Sequence, residues 1–401
     1  MRSILFLTPE LPYPPFSGGR IKSWKLVEFL SAHYSLGLAC ALKSDDEIYR
    51  SSFEERAHLA EFIGEPVKVP RSMRSLLSSY VQRIPLNVFR TRSDVLQRRI
   101  ADRAHRYDLI FCDHYEVFQY VPDDYRGLVV LHEHNAYFLM WRRYAKTGAN
   151  PIIRLASYLE YLRVRRYEMN ACARADLIFA SPNDIDSLVK TGVDQGKCRV
   201  TYHLGDESTL NQPPLNYETT EPVLLYVGTL TWEANIDGLL WFLTNVWPEI
   251  KQRHPPVRFR IAGKNPDSRL LQAASGDSSI EFLGFVEDLE PLFQSSRVFV
   301  APLRFGAGIK VKVLSGMGRG IPTVTTPVGV EGLHVEHMRH VAIAGHAPDM
   351  IAAINTLLTD RQTWETLACE SRSLVESQYT WDRVLGSMQQ ALQSLFGPSA
   401  Q

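Results

Sequence analysis

Short runs of apolar residues alternate along the chain with longer segments in which apolar residues recur at helical spacing. This alternation is typical of a parallel sheet whose strands are joined by helices. In the first half the pattern predicts strands at Ser3–Thr8, Ser35–Leu42, Glu65–Val69, Tyr107–Cys112, Leu128–His132, Asp176–Ala180 and Arg199–Tyr202. The longest helical stretch, Ile152–Arg174, carries apolar residues at helical spacing and an arginine-rich opposite side.

The second half restarts the same pattern. Its predicted strands are Val223–Gly228, Arg258–Gly263, Ile280–Gly284, Arg297–Pro302, Pro322–Thr326 and His340–Ala344. The predicted helices between and after them include Asn235–Arg253, Lys310–Arg319, Pro348–Leu358 and Arg361–Gln378. Each half begins with a strand that runs into a glycine-bearing turn, as in Rossmann-like domains.

A polar, proline-bearing segment, HLGDESTLNQPPLNYETTEP, follows Tyr202 and is typical of a linker. We therefore predict an α/β fold with two Rossmann-like domains, 1–205 and 206–380, and a helix in 381–401 that packs back on one of them, with the N-terminal domain as the expected partner. A chain of 401 residues suits two domains. Because ligands bind beyond the carboxyl ends of parallel strands, two facing sheets predict a site in the cleft between them.

Composition narrows the class of function. Lysine plus arginine and aspartate plus glutamate both number 44, so a dedicated nucleic-acid binder, which is usually basic, is excluded. The five cysteines are scattered with no CxxC pair, which predicts neither a disulfide framework nor a zinc site. The N-terminal apolar run of about five residues is too short for a signal peptide, and no run reaches the roughly 18 of a membrane span. We expect a cytoplasmic protein.

The strongest chemical signal is the segment APLRFGAGIKVKVLSG, in which a strand, a glycine loop and a helix follow one another. The loop Gly306-Ala307-Gly308 lets a ligand approach the backbone, and the free amides at a helix start attract phosphate. Lys310 and Lys312 lie in the first helical turn, where the helix dipole disfavours positive charge, so an anionic partner is expected. The alternative is an ordinary turn with solvated lysines.

Two further segments combine polar residues with a strand end. Ser17-Gly18-Gly19 precedes a helix predicted from about Arg20 and is able to approach an anion or a sugar, or is simply a helix cap. In LHEHNAYF, His132, Glu133 and His134 follow an apolar strand. A metal site there needs a third ligand, and the sequence indicates none, so we expect no metal.

Together these segments resemble the retaining glycosyltransferases of family 4, which have the two-domain GT-B fold. The resemblance extends over most of the chain and is carried by LYVGTLTWEANIDGLLWF, FRIAGKNP, IEFLGFVEDLEPLFQSSRVFVAPLRFGAGIKVKVL and GIPTVTTPVGVEGL, which fall in the family's order. It implies transfer of a sugar from a nucleotide-sugar donor to a glycan, lipid-linked or small-molecule acceptor. The C-terminal domain would hold the donor, and no cofactor is implied.

The resemblance also assigns roles to residues. His134 would reach the donor sugar and Lys310 the phosphates. The residues matching the family's donor site are Gly18, Gly19, Gly228, Thr229, Gly263, Lys264, Phe285, Val286, Gly306, Ala307, Gly308, Ile309 and Ser315. The chain departs from the family where Ala307 and Ser315 replace two glutamates, and the second of these normally binds the ribose. That departure leaves open a GT-B epimerase or hydrolase, or a catalytically silent binding protein.

Two arginine-rich stretches lie outside these motifs. The stretch from Arg71 to Arg106 interleaves arginines with apolar residues, so it predicts either peripheral contact with anionic lipid, at the inner face of the membrane, or a solvated helical face. Arg165, Arg166 and Glu168, late on the long helix, are expected on a solvated or interdomain face.

Overall fold

The structure, a computed structural model, describes residues 1–16, 18–43, 46–67, 72–147, 151–202, 204, 207–306 and 308–397. The chain forms two compact units. Unit 1 comprises Met1–His203 and Val384–Gln401, and unit 2 comprises Leu204–Arg383. Each unit has its own parallel sheet and its own buried core.

Unit 1 is built on a seven-stranded parallel sheet in the order β3-β2-β1-β4-β5-β6-β7. Its strands are β1 Ser3–Thr8, β2 Ser35–Leu42, β3 Glu61–Pro66, β4 Leu109–Asp113, β5 Leu128–His132, β6 Leu177–Ala180 and β7 Cys198–Val200. In register, Phe6 pairs with Leu38 on one side and Phe111 on the other. The central strands are apolar along their length because helices cover both faces of the sheet.

The helices of unit 1 between these strands are α1 Gly18–His33, α2 Arg50–Ala57, α3 Met73–Val81, α4 Leu86–Arg90, α5 Asp94–Ala104, α6 Tyr137–Thr147, α7 Pro151–Arg174 and α8 Pro182–Lys190. Serines begin three of them: the side chains of Ser72, Ser93 and Ser181 accept a backbone N–H in the first turn of α3, α5 and α8. Such caps satisfy amides that have no partner inside the helix.

Unit 2 is built on a six-stranded parallel sheet in the order β10-β9-β8-β11-β12-β13. Its strands are β8 Glu221–Val227, β9 Arg258–Ala262, β10 Ile280–Gly284, β11 Ser296–Ala301, β12 Thr323–Thr325 and β13 Ala342–Ile343. Fully buried residues of neighbouring strands, such as Leu224, Phe259 and Val298, form the centre of the core. The strand order reverses between β8 and β11, and such a switch point is where doubly wound sheets bind ligands.

The helices of unit 2 are α9 Glu233–Asn245, α10 Trp247–Arg253, α11 Ser268–Ala273, α12 Glu290–Ser295, α13 Val311–Arg319, α14 Ala347–Thr359 and α15 Arg361–Gln378. The single helix predicted over 235–253 is instead two helices, α9 and α10, which meet at Val246. The reason is Pro248 in the first turn of α10, whose nitrogen has no hydrogen to continue the bonding pattern of α9.

One other predicted element differs from the structure, and the predicted linker, which begins at the boundary of the two units, is a packed segment. The third strand is β3 at 61–66, earlier than the predicted Glu65–Val69, because the Gly64-bearing segment pairs with β2 over its whole length. The polar segment after Tyr202 is not a free connection, since the hydroxyl of Tyr217 donates to the carbonyl of Leu358 at 3.0 Å and the Arg297 guanidinium lies 3.7 Å from the centre of its ring.

The last helix, α16 (Trp381–Phe396), contains the residues at which the chain returns to unit 1. Near its end, the ring of Phe396 lies 5.9 Å from that of Tyr34, and the guanidinium of Arg2 lies 5.4 Å from its centre. The final turn of the helix therefore packs beside the residues that precede β1 and β2.

Candidate functional site

In unit 1, three side chains meet beyond the carboxyl ends of β4 and β5. Asp113 ends β4, His132 ends β5, and His134 lies two residues further on. The Nδ1 of His132 and the Nε2 of His134 both donate to Oδ1 of Asp113, at 2.6 and 2.7 Å, and all three residues are buried. Sequence analysis identified His134 but not Asp113. The signal for Asp113 was an acidic residue that closes an apolar strand.

Helix α1 brings two more residues to Asp113. Ser23 donates its hydroxyl to Oδ2 of Asp113 at 2.5 Å. Lys22, which is only 2% exposed, has its pKa lowered by burial to about 7, although the charges of Asp113 and Asp184 oppose that shift. Burial alone would raise the pKa of Asp113, but the charges and hydrogen bonds of His134 and His132 hold it well below its ordinary value. Asp113 is therefore an anion that fixes both imidazoles.

His114, which sequence analysis missed, is the histidine of this group with partial solvent exposure. Its ring stacks on that of His134 with centroids 3.6 Å apart and an interplanar angle of 26°. The backbone has φ 89°, a conformation that few residues other than glycine adopt. Burial and the neighbouring His134 lower the pKa of His114 to about 3, so the imidazole is neutral at physiological pH.

The ligand atoms of Asp113, His132 and His134 lie within 4.8 Å of one another, so Asp113 supplies the third metal ligand that sequence analysis did not find. One carboxylate and two imidazoles are suitable zinc ligands. Burial is the main cause that lowers the pKa of both histidines to about 4, and the charge of Lys22 lowers it further against the opposing charge of Asp113. The short hydrogen bonds of His132 and His134 to Oδ1 of Asp113 agree best with three side chains that bond to one another and not to a metal.

A group of buried carboxyls lies behind the histidines. Glu133 is 1% exposed, and neither of its carboxyl oxygens has a hydrogen-bond partner in the part of the chain that the structure describes. Burial, with the charges of Glu168 and Asp184, raises the pKa of Glu133 well above its ordinary value. Glu133 therefore keeps its proton to a higher pH than an exposed glutamate does.

Glu168 does not lie on a solvated face, as the sequence suggested for Arg165, Arg166 and Glu168. Arg165 and Arg166 are exposed, but Glu168 is fully buried and accepts the backbone N–H groups of Tyr137 and Phe138, each at 2.8 Å. It thus caps the start of α6, because it accepts amides that have no partner inside the helix. The position on a long helix did not reveal this, because the partner amides are about 30 residues away.

The N-terminal glycines of the predicted donor site begin α1. Gly18 and Gly19 are its first two residues and are partly exposed, whereas Ser17 lies outside the described residues. No heavy atom lies within 4 Å of a β-carbon built on Gly19, so packing alone does not require glycine there.

In unit 2, glycines lie at the carboxyl ends of the neighbouring strands β8, β9 and β10. Gly228 donates to the carbonyl of Ala262 at 3.0 Å, and Gly263 donates to that of Gly284 at 2.8 Å. A β-carbon on Gly263 would lie 2.1 Å from the carbonyl oxygen of Gly228. The two backbones approach so closely that only glycine fits at 263.

Lys312 lies directly beneath this glycine edge. Its ammonium donates to the hydroxyl of Tyr226 and to Oδ1 of Asn235, both at 2.7 Å, while the amide of Asn235 donates to the carbonyl of Thr229, itself exposed, at 2.8 Å. A β-carbon on Gly228 would lie 2.7 Å from Nζ of Lys312. Burial, reinforced by the charge of Lys310, lowers the pKa of Lys312 to about 7.

The glycine loop precedes α13. Gly308 has φ 66°, which favours glycine, and Gly308, Ile309 and Lys310 are buried, while Gly306 is partly exposed and Ala307 lies outside the described residues. The ammonium of Lys310 donates to the carbonyl of Gly308 at 2.5 Å and lies 3.6 Å from a carboxylate oxygen of Glu331. Lys310 therefore folds over its own loop, and Glu331 is an internal anionic partner that sequence analysis did not identify.

The remaining predicted residues lie at the strand ends and on α13. Nζ of Lys264 lies 4.0 Å from the centre of the Phe285 ring, which is 63% exposed, and Val286 beside it is partly buried. The hydroxyl of Ser315 donates to the carbonyl of Val311 at 3.0 Å. Ser315 thus bonds to its own helix, unlike the carboxylate that the family places there.

Both units are Rossmann-like α/β domains with parallel sheets, which is the GT-B fold. Residues 221–360, which cover the glycine edge, Lys310 and Lys312, match the family model described as Glycosyl transferases group 1. This part of the chain is similar to the glycosyltransferases of group 1, and the protein is a glycosyltransferase, as the resemblance predicted.

Comparison with individual proteins agrees with this class. An uncharacterized 44.6 kDa protein in the cps region of Klebsiella pneumoniae is 21% identical over 97% of this chain and 99% of its own length. The O-antigen chain mannosyltransferase B of Escherichia coli is 28% identical over 39% of this chain and 42% of its own. The crystal structure of Anabaena Alr3699/HepE in complex with UDP and glucose has a TM-score of 0.70 at 17% identity and covers 98% of this chain and 100% of that one. Within the described residues, no helix has the length and apolar character needed to cross a membrane.

Proposed function

We propose that the protein transfers a sugar, with retention of anomeric configuration, from a nucleotide-sugar donor to a glycan, a lipid-linked sugar or a small molecule. Unit 2 holds the donor and unit 1 serves the acceptor side. The proposal includes a cytoplasmic location with peripheral contact at the inner face of the membrane. The Klebsiella relative from a cps region and the Escherichia coli O-antigen mannosyltransferase support a role in polysaccharide synthesis.

One observation carries the donor assignment: the ammonium of the half-buried Lys312 lies 2.7 Å from the position that a β-carbon on Gly228 would occupy. Lys310 is close enough to lower the pKa of Lys312. Two cations beside an edge of bare glycine backbone suit a diphosphate, which offers negative charge and several acceptor oxygens. The UDP in the structurally similar HepE is of this chemical class.

The chemistry that these groups would support is departure of a nucleoside diphosphate. As the bond between the anomeric carbon and the phosphate oxygen breaks, negative charge develops on the diphosphate, and preorganised cations and amides stabilise it. Lys310, Lys312 and the amides of Gly308 and Ile309 are the proposed donors. No carboxylate nucleophile is required, so the replacement of the family glutamates at Ala307 and Ser315 does not by itself prevent transfer.

Two further roles belong to the proposal. The ring of Phe285, backed by Lys264, offers a flat exposed surface on which a nucleobase can stack. In unit 1, the neutral His114 is proposed to orient a hydroxyl of the sugar, with His134 and Asp113 holding it in place. His134, the histidine that sequence analysis selected, then acts through His114, since its Nε2 donates to Asp113.

The test is a thermal-shift panel of uridine, guanosine, thymidine and adenosine diphosphates and their sugars. We expect one base to raise the melting temperature, and a response to none of them would contradict the donor assignment. Lys310→Ala should lower turnover by about ten- to a thousandfold, the range for one lost electrostatic donor. Lys251→Ala, which removes a lysine paired with Asp277 elsewhere in unit 2, is the control. Because no metal is proposed, EDTA should leave turnover unchanged.

A further inference from the structure

The arginine-rich stretch 71–106 does not form one basic surface. It is divided among α3, α4 and α5, and Arg71 lies outside the described residues. Arg99 pairs with Glu65, and Arg103 pairs with Glu61 at 2.5 Å, so part of its charge is neutralised by acids next to β3. A lipid-binding face has to be sought elsewhere on unit 1.

The first half of α7 exposes an unusual amount of apolar surface. Ile152 is 80% exposed and Leu155 is 61% exposed. The other exposed large apolar or aromatic residues of this half are Ile153, Tyr158, Leu159 and Leu162. Its one acid, Glu160, is buried and accepts from the amide of Leu86 and from Arg163 at 2.6 Å. Residues 151–166 therefore present apolar groups and arginines to solvent, with no exposed carboxylate.

A basic groove lies beside this surface, between α6, α7 and α8, with a volume of about 680 Å³. Its charged lining residues are Arg142, Lys146, Arg165 and Lys190, accompanied by the rings of Tyr158 and Tyr161. No carboxylate lines it, and none of the four cations has an ion-pair partner within the ranges that the structure describes. Tyr158 belongs both to the groove and to the exposed side of α7, so the two features are continuous.

We propose that this face, defined as residues 152–165 of α7 together with the groove cations, docks on an anionic lipid bilayer. The groove takes headgroup phosphates while the apolar side chains of α7 enter the interface. Charge complementarity selects this occupant, since four cations without an acid attract an anionic surface. A soluble anion would leave the adjoining apolar side chains exposed to water, whereas a bilayer would bury them between its headgroups and acyl chains. The inference specifies the membrane contact in the proposed function and rests on it.

The experiment is co-sedimentation of the full chain, without substrates, with vesicles of phosphatidylcholine alone or mixed with phosphatidylglycerol. Wild type should bind the mixed vesicles and not the neutral ones. Because each basic residue near such a surface contributes about a fivefold factor, the pair R142Q/K146Q should bind about thirtyfold more weakly. The pair I152S/L155S should also bind at least about tenfold more weakly, since it removes two exposed apolar side chains.

The matched control is R98Q/R106Q, which removes the same charge from two exposed arginines of the 71–106 stretch. Unchanged binding by this pair supports the proposal, whereas a loss equal to that of R142Q/K146Q would assign docking to the other face and overturn it. Absence of wild-type binding would also overturn it, as would binding of inorganic pyrophosphate, but not vesicles, in the groove. The diphosphate thermal shifts are read separately, so a failed donor assignment remains distinguishable from failed docking.

Discussion

Replacing Lys312 with methionine tests the donor site while keeping an unbranched side chain of similar length. Two opposing contributions to stability follow from the structure. Lowering the pKa of Lys312 from 10.5 to about 7 corresponds to a cost of about 4–5 kcal/mol for the buried ammonium. Its hydrogen bonds to Tyr226 and Asn235 stabilise the folded state by about 1.5–3 kcal/mol each. The two contributions nearly cancel, so the free energy of unfolding at pH 7 should change by less than about 2 kcal/mol.

The pH dependence of this variant has a definite sign. The unfolded chain keeps the Lys312 proton up to pH 10.5, whereas the folded chain loses it near pH 7. The cost of the buried charge is therefore fully present below pH 7 and is relieved as the pH rises toward 10.5. The stability of Lys312→Met relative to wild type should therefore be highest near pH 6 and should fall as the pH rises to 10, as measured by urea unfolding.

The turnover number kcat should respond to this substitution very differently from the free energy of unfolding. If Lys312 stabilises the diphosphate, the variant should lose about a hundred- to a thousandfold in kcat, the cost of one preorganised donor. Lys251→Met, which breaks a partly exposed ion pair of the same unit, should change the free energy of unfolding by less than about 1 kcal/mol and leave kcat intact. Equal kcat for wild type and Lys312→Met, with the fold intact, would refute the assignment.

Three other changes test the structure more locally. His114→Ala should lower kcat, and His114→Gln should keep part of the wild-type kcat because an uncharged hydrogen-bonding group is enough to orient the sugar. Equal kcat values for wild type and both variants would exclude the contact of His114 with the sugar. Gly263→Ala should destabilise unit 2 by about 1–3 kcal/mol in chemical unfolding through overpacking, whereas Gly386→Ala, where no atom lies within 4 Å, should not. Glu133→Gln should flatten the pH dependence of stability: the raised pKa makes folding favour the proton, so wild type loses stability as the pH rises above 4.5. Parallel pH curves would show that Glu133 is already ionised.

Local pattern was enough to place most of the strands and helices. The parallel strands are continuous apolar runs bounded by turns, as at Leu128–His132, so their bounds could be read within a residue or two. The shifted third strand has a simple cause: EFIGEP is short, contains glycine and ends in proline, and only its pairing with β2 makes it a strand. The break in α9–α10 depends on a proline whose effect on the first helical turn is ambiguous from sequence, since proline is also favoured there.

In the candidate site, too, the local sequence determined some features and the packing determined the others. A strand end followed by glycines, as at Gly228 or Gly306, is a local pattern, and the sequence by itself determined the fold class, the class of enzyme and the position of the glycine loop. Only the tertiary structure decided that Ser23 and His132 both donate to the carboxylate of Asp113. The same holds for the pairing of Glu331 with Lys310 and for the position of Lys312 under Gly228. These contacts join residues that are distant in sequence. Packing sets their distances, and no local periodicity encodes packing.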